Sequence, residues 1–182
     1  RNFLIAFFFY IDGVLTIIVM AGVVATETFG FDQQGTIVLF LIVQMSALVG
    51  AFALATPTDR YGPKRVLNGV LGLWIFVGVA AYVIESPTLF YGMAVLAGLG
   101  LGSTQAASRA FLSSLVPAGK EAGMFGFYAL CGKSSSVIGP LMFGYVTVWA
   151  DGNQRPAFLA LTGLFILGLV LLQRVRDPRA AA

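Results

Sequence analysis

Long apolar runs separated by short polar or turn-forming segments make up almost the whole chain. A helix of about 20 apolar residues crosses the roughly 30 Å hydrocarbon core of a bilayer. Windows of that length predict six spans, at residues 3–25, 35–56, 66–85, 88–112, 122–149 and 156–173. The runs are continuously apolar rather than alternating, which does not favour a small transmembrane barrel. We therefore predict an all-α membrane protein with a single six-helix bundle over residues 1–182.

The composition excludes most other classes of protein. Of the 182 residues, 58% are apolar and 10% are charged, whereas soluble domains are about 45–50% apolar and about 25% charged. The single cysteine, Cys131, lies in an apolar stretch and rules out a disulfide framework. Because the chain has no histidine, zinc sites and histidine-based catalysis are not favoured. We expect no metal, no cofactor and no catalytic residues.

The charged residues predict the orientation of the bundle. Placing the N-terminus, the second and fourth loops and the C-terminal tail on one side gathers almost all the basic residues there: Arg1, Arg60, Lys64, Arg65, Arg109, Lys120, Arg174, Arg176 and Arg179. The other side has Arg155 and the acids Glu27, Asp32, Glu85 and Asp151. The positive-inside rule then predicts that both termini are cytoplasmic. Basic residues confined to span ends do not indicate nucleic-acid binding, despite a net charge of +3.

The start of the chain has no leader-like pattern. The sequence begins at Arg1 rather than Met and enters an apolar run almost at once. That run is too long for the apolar core of a signal peptide, so we interpret it as a true span. The missing start leads us to expect a fragment of a longer protein.

The loop at residues 55–65 reads Ala-Thr-Pro-Thr-Asp-Arg-Tyr-Gly-Pro-Lys-Arg. Gly62 allows a tight reversal, and Pro63 suits the first turn of the next helix. The loop resembles the signature loop of the major facilitator superfamily, although Ala55 stands where the family prefers glycine. The resemblance implies a conformational or gating loop formed by Asp59, Arg60, Gly62, Lys64 and Arg65.

A longer stretch, residues 98–144 with Phe9–Gly13 of the first span, resembles one branch of that superfamily. This branch, the vacuolar effluxer-like proteins, includes the autophagy-related amino-acid effluxers of fungi and bacterial relatives. The match is to the C-terminal half, which implies a 3+3 inverted repeat and an N-terminal six-helix half as partner, in the same or a separate chain. It also implies a small-molecule solute, such as an amino acid or metabolite, and a hinge at Gly139 and Pro140.

Two charges lie inside the predicted spans. Asp12 is about nine residues into the first span, and Lys133 is about eleven residues into the fifth, so both lie near the middle of the membrane. A buried charge at that depth has to be paired or face water. Two hypotheses follow: a substrate or proton site, or a structural ion pair between the two helices.

Polar residues on the fourth span form one face with two glycines. Gly98, Gly102, Gln105 and Arg109 are spaced at i, i+4, i+7 and i+11. The glycines suit close helix packing. Gln105 can bond a neighbouring helix or contact solute, and Arg109 can extend to the interface or bind an anionic group.

The fifth span adds Tyr128 and Ser136 as candidate site residues. A soluble enzyme with three serines beside Lys133 would suggest a Ser/Lys nucleophile. No oxyanion-hole motif accompanies these residues, so cavity lining or helix–helix hydrogen bonding explains them better.

The leading hypothesis is the C-terminal half of a secondary active transporter that works by alternating access in a lipid bilayer. Proton coupling through Asp12 is one hypothesis for its energy source. The bacterial inner membrane is the expected location. No G-x-x-x-x-G-K-[ST] motif supports ATP-driven transport. The alternative is a non-transporting scaffold or assembly subunit with the same fold. An intramembrane enzyme is not favoured, because H-E-x-x-H and a second intramembrane acid are both absent.

Overall fold

The computed structural model describes residues 2–117 and 119–177, so the predicted basic residues Arg1 and Arg179 lie outside the described part. The described residues form eight helical segments and no strand, which confirms the all-α prediction. The segments are α1 (Asn2–Glu27), α2 (Gln33–Ala53), α3 (Ala55–Tyr61), α4 (Pro63–Val83), α5 (Pro87–Leu115), α6 (Glu121–Ser134), α7 (Ile138–Trp149) and α8 (Arg155–Gln173). Five are long and apolar enough to cross a membrane when α2 and α3 are taken together: α1, α2–α3, α4, α5 and α8.

The junction between α2 and α3 is a local interruption at Leu54. Pro57 has no N–H to donate to the Ala53 carbonyl, and its ring crowds that carbonyl. The helix resumes because Thr58 N–H bonds the Leu54 carbonyl at 2.9 Å. The second span therefore extends as a short helix through most of the predicted 55–65 loop, and the chain reverses at Gly62, whose φ is +87°.

The region predicted as one continuous span at 122–149 is two helices, α6 and α7, with a non-helical break at residues 135–137. Pro140 supplies the reason, because it cannot donate to the Ser136 carbonyl and its ring would clash there. The break lies just before the predicted hinge residues rather than on them. Neither half alone reaches the length of a membrane span.

Each helix packs mainly on one or two neighbours, and α1 contacts α2, α4, α5, α6, α7 and α8. α2 packs mainly on α5, α5 on α4, α4 on α8, and α8 on both α1 and α7, while α6 contacts α1. The largest fully buried side chains are aromatic: Trp74, Tyr10, Phe111, Phe158 and Phe165. Lipid is as apolar as these side chains, so their close fit, rather than the hydrophobic effect, favours this arrangement.

The contact between α2 and α5 depends on small residues. Methyl groups added at Gly98 and Gly102 of α5 would collide with the Val43 and Ala47 carbonyls of α2. A methyl group at Gly50 of α2 would collide with the Leu99 backbone of α5. The two backbones are in contact along this face, as small-residue spacing allows.

Polar contacts join the helix ends at the two sides of the bundle. At one side, the Lys64 ammonium donates to the Val175 carbonyl at 2.6 Å. At the other, Arg155 forms an ion pair with Glu85 at 3.0 Å, and Gln154 donates to Glu27. The start of α4 is thus fixed to the end of α8 at one side, and the end of α4 to the start of α8 at the other.

Candidate functional site

Asp12 lies ten residues into α1 and is completely buried. Its Oδ2 accepts a hydrogen bond of 2.8 Å from the Gly139 N–H. Gly139 is the second residue of α7, so the carboxylate lies at the positive end of that helix. An acid on one helix thereby satisfies a backbone donor that the break before α7 leaves unpaired.

The other oxygen of this carboxylate has the Thr16 hydroxyl as its polar neighbour. Asp12 Oδ1 and Thr16 Oγ1 are both buried and make no hydrogen bond to any other described residue, and the Thr16 hydroxyl interacts with the carboxylate. Both point toward Gly139: a methyl group there would collide with the Thr16 hydroxyl and lie 3.0 Å from Asp12 Oδ1. The glycine is therefore needed for the close approach of α7 to α1, and a carboxylate and a hydroxyl lie where the helices meet.

Lys133 does not pair with Asp12. The Lys133 side chain is exposed on α6, and the described residues include no ion pair between Asp12 and Lys133. The two residues lie at similar predicted depth in the membrane, but the Asp12 side chain is buried and the Lys133 side chain is exposed. The break at 135–137 also gives the acid a different partner, since it frees the Gly139 N–H.

A second polar region opens between α2 and α5. A cleft of about 300 Å³ is lined by Gln44, Gln105 and Arg109 with small and apolar neighbours. Gln105 is half-buried, and Gln44 and Arg109 are exposed. The cleft joins two of the predicted site residues and can offer amide groups and a guanidinium to a polar or anionic solute.

Tyr128 links this region to α1. Its hydroxyl interacts electrostatically with Arg109 and Ser108, and its ring stacks on Phe7 at 4.1 Å between centroids. Ser108 Oγ in turn lies 2.8 Å from the Tyr10 hydroxyl in a buried hydrogen bond. A polar connection therefore runs from the cleft through α5 and α6 to α1.

The remaining predicted residues lie apart from both regions. Ser136 is exposed in the break between α6 and α7, next to Gly139 and Pro140. In the predicted gating loop, Arg60 stacks over the Tyr61 ring at 5.5 Å, and Arg65 is exposed. Asp59 has an interaction of its own.

Sequence reasoning missed Thr16 and Ser108. Thr16 could have been found, because it lies four residues after Asp12 on the same helical face. Ser108 had no such signal, because its partners are Tyr10 and Tyr128 on other helices. Within residues 2–117 and 119–177, no group of three or more Cys, Asp or Glu side chains is placed to hold a metal ion.

The fold and these regions define the class as a multi-pass helical membrane protein with polar sites between its helices. The family described as vacuole effluxer Atg22 like matches residues 1–182, the whole sequence. The chain belongs to this family, which confirms the resemblance drawn from residues 98–144.

Individual relatives agree with the family. The chain is 33% identical over 175 residues to the uncharacterized MFS-type transporter YxiO of Bacillus subtilis, covering 96% of this chain and 40% of that protein. It is 32% identical over 185 residues to autophagy-related protein 22-1 of Phaeosphaeria nodorum, covering 93% and 32%. It is 28% identical over 192 residues to autophagy-related protein 22-1 of Aspergillus niger, covering 97% and 31%. The chain thus spans less than half the length of these relatives.

Proposed function

We propose that this chain is the C-terminal six-helix half of a secondary active transporter that moves a small solute by alternating access. The single observation that carries the proposal is the polar cleft between α2 and α5, in a bundle whose family is the vacuole effluxers. Apolar lining with a few polar groups is typical of small-molecule sites. The solute class is an amino acid or another small metabolite, by analogy with the family.

The pairing of helices supports a 3+3 repeat. In such a repeat, α1 corresponds to α5, α2–α3 to α6–α7, and α4 to α8. The contact of α2 with α5 then corresponds to the contact of α6–α7 with α1. The contact of α1 with α8 corresponds to that of α5 with α4, and the contact of α4 with α8 corresponds to itself. All of these contacts are present. In such repeats, solute and coupling-ion sites lie near the midplane.

Charge supports an orientation with both termini in the cytoplasm of a bacterial cell. Lys64, Arg174 and Arg176 lie at the side where α4 begins and α8 ends. The opposite side carries Arg155 paired with Glu85. An excess of Lys and Arg marks the cytoplasmic face of a membrane protein.

The cleft contributes solute contacts through Gln105 and Arg109. A guanidinium binds a carboxylate through two parallel hydrogen bonds, which gives both orientation and charge complementarity. Tyr128 lies within electrostatic reach of the same guanidinium and orients it.

Asp12 is the proposed proton site. An N-terminal six-helix half and membrane lipid are the partners, and exposed apolar residues such as Tyr145, Val148 and Trp149 on α7 supply surface for them.

The alternative is a membrane scaffold or assembly subunit with the same fold. The observation that favours it is the complete burial of Asp12 against Gly139, since a hydrogen bond of this kind can be purely structural. In that case Asp12 joins α1 to α7, and the cleft has no solute.

Flux in liposomes decides between the two functions. The complete protein is reconstituted, and uptake of a panel of labelled amino acids is measured with and without a pH gradient. The proposal is supported by flux that depends on the gradient. This flux should fall at least tenfold in Asp12→Asn and by a similar factor in Arg109→Gln. Asp32→Asn is the control, because Asp32 caps exposed α2 far from both regions. Absence of flux above empty liposomes for every solute would favour the scaffold, and gradient-independent flux would remove Asp12 from coupling.

A further inference from the structure

We propose that Asp12 is a proton-operated cap of α7: uptake of a proton at Oδ1 loosens the attachment of α7 to α1, and its release tightens it. The inference rests on the proposed role of Asp12 as a proton site. It adds the element that the proton controls, the short helix after the break at 135–137.

α7 has no cap of its own. Val137, its N-cap residue, forms no side-chain cap hydrogen bond, and Pro140 in the first turn has no N–H. The donors left without a partner in the first turn are those of Ile138 and Gly139. Asp12, 127 positions earlier in the sequence, supplies the acceptor through Oδ2, and the Ile138 N–H also interacts with this carboxylate. The start of α7 is therefore held by a side chain of another helix.

The second carboxylate oxygen is the place where the proton binds. Asp12 Oδ2 accepts from the Gly139 N–H, whereas Oδ1 is buried and its polar neighbour is the Thr16 hydroxyl. A hydroxyl can donate or accept, so Thr16 can donate to the ionised carboxylate and accept from the protonated acid. A proton from the aqueous phase forms an O–H bond at Oδ1, and Oδ2 remains free to accept from the Gly139 N–H.

Protonation of Asp12 weakens the cap. A hydrogen bond to a charged carboxylate is roughly twice as strong as one to a neutral group, and the positive end of a helix stabilises an anion but not a neutral acid. α7 is 12 residues long and joins α6 through a non-helical segment. Losing part of its strongest polar contact with α1 therefore shifts its position more readily than that of a full-length span.

A metal cation fits this place less well than a proton does. Hard cations such as Ca²⁺ and Mg²⁺ take about six oxygen ligands, whereas only one carboxylate and one hydroxyl of the described residues meet here. The helix N-terminus also carries positive partial charge, which disfavours a cation beside it.

The other titratable groups near α1 leave Asp12 as the responding group. No hydrogen bond or ion pair joins Asp12 to any titratable side chain in the described part of the helices packed on α1. These side chains are Lys64, Arg65 and Tyr82 on α4, Tyr91 and Arg109 on α5, Glu121, Tyr128, Cys131 and Lys133 on α6, Tyr145 on α7 and Arg155 on α8, with Tyr10 and Glu27 on α1 itself.

Hydrogen exchange read by mass spectrometry tests the cap directly. The complete protein in lipid nanodiscs is exchanged between pH 5 and 8, and rates in residues 137–143 are corrected for the intrinsic effect of pH. A deprotonated Asp12 is the stronger cap, so protection is expected to be high at the upper pH values. It should fall roughly tenfold as the acid is protonated. Asp12→Asn resembles the protonated acid in shape and should show the low protection at every pH.

Two further variants separate the cap from a general loss of structure. Thr16→Val removes the hydroxyl that favours the ionised carboxylate but leaves Oδ2 in place. Because the charged form loses a donor, the drop in protection should move to higher pH with the same upper plateau. Asp32→Asn removes a similar cap from α2, where Asp32 accepts from Gly35 N–H at 2.7 Å, and should leave α7 unchanged.

The possible outcomes distinguish this inference from the proposed function. The cap is overturned if α7 exchange has no pH dependence in the wild type, or if Asp12→Asn retains it. Protection that changes when sodium is replaced by N-methylglucamine at fixed pH would overturn the proton assignment. If Asp12→Asn abolishes flux while α7 exchange stays unchanged, the transport function survives and the cap does not.

Discussion

Lys64 shows at the scale of one residue how a charge in the signature loop contributes to the fold. Its ammonium donates to the Val175 carbonyl at 2.6 Å and to the Gln173 carbonyl at 3.3 Å. These carbonyls lie at and just after the end of α8, where unpaired backbone acceptors and the negative end of the helix favour a cation. In this chain Lys64 therefore fixes α8 to α4, whatever part the loop has in gating.

Lys64→Met is expected to lower the free energy of unfolding by about 1 kcal/mol, a value reduced for the partial exposure of the side chain. It should also speed hydrogen exchange at residues 172–176. Unfolding of the complete protein in mixed micelles measures the first effect. Arg65→Met is the matched control, because Arg65 is the neighbouring base and is exposed. Equal losses in the two variants would show that charge alone matters and not the bonds to α8.

The pair α2 and α5 shows at the scale of elements that backbone contact can replace side-chain burial. α2 has few buried residues, namely Leu39, Val43 and Gly50, yet it packs closely along α5. Glycines on both helices allow the close approach. The polar cleft borders the same contact, because Ala47 and Gly102 also line it, so the spacing of these helices also determines the cleft width.

Gly102→Ala is expected to force α2 and α5 apart, because the new methyl group collides with the Ala47 carbonyl. Overpacking of this kind costs about 1–3 kcal/mol. The free energy of unfolding in mixed micelles measures the effect. Gly92→Ala on the same helix is the control, since a methyl group there has nothing within 4 Å and should raise stability slightly or leave it unchanged. An equal effect of both substitutions would contradict the role of the contact.

The whole molecule has two chemically different sides. One carries Lys64, Lys120, Arg174 and Arg176, and the other carries Arg155 with Glu27, Glu85 and Asp151. The polar contacts of Lys64, Arg155 and Gln154 each join helix ends on the same side of the bundle. This asymmetry is the basis for the proposed orientation in the membrane.

Single cysteines introduced in a Cys131→Ser background test that orientation in the complete protein. A membrane-impermeant maleimide applied to intact cells is expected to label Asp151→Cys, and Lys120→Cys only after permeabilisation. Both positions are exposed, so access to the reagent and not burial decides the result. The reverse pattern would overturn the orientation, and labelling of both from outside would overturn the assignment of the two loops to opposite sides.

Much of the architecture follows from local sequence. Lipid requires each span to satisfy its own backbone hydrogen bonds over about 20 residues, so apolar runs mark helices whatever their neighbours. Gly62 and Pro63 mark the reversal after α3 because their backbone preferences are intrinsic. The division of 122–149 into α6 and α7 was less readable. The run is mostly apolar, with Lys133 and three serines near its middle, and a proline in a membrane helix can kink it or end it.

The candidate site also has one part that the sequence predicts and another that depends on the tertiary structure. Sequence alone determined that Asp12 is a charge in an apolar span and therefore needs a partner or water, because an isolated charge near the middle of the bilayer is costly. It also determined the family, through residues 98–144. Only the tertiary structure decided that the partner is the Gly139 N–H and not Lys133. That choice depends on which way each side chain points around its helix and on a donor freed by the break before α7, and neither is encoded in the depth of a residue along the chain.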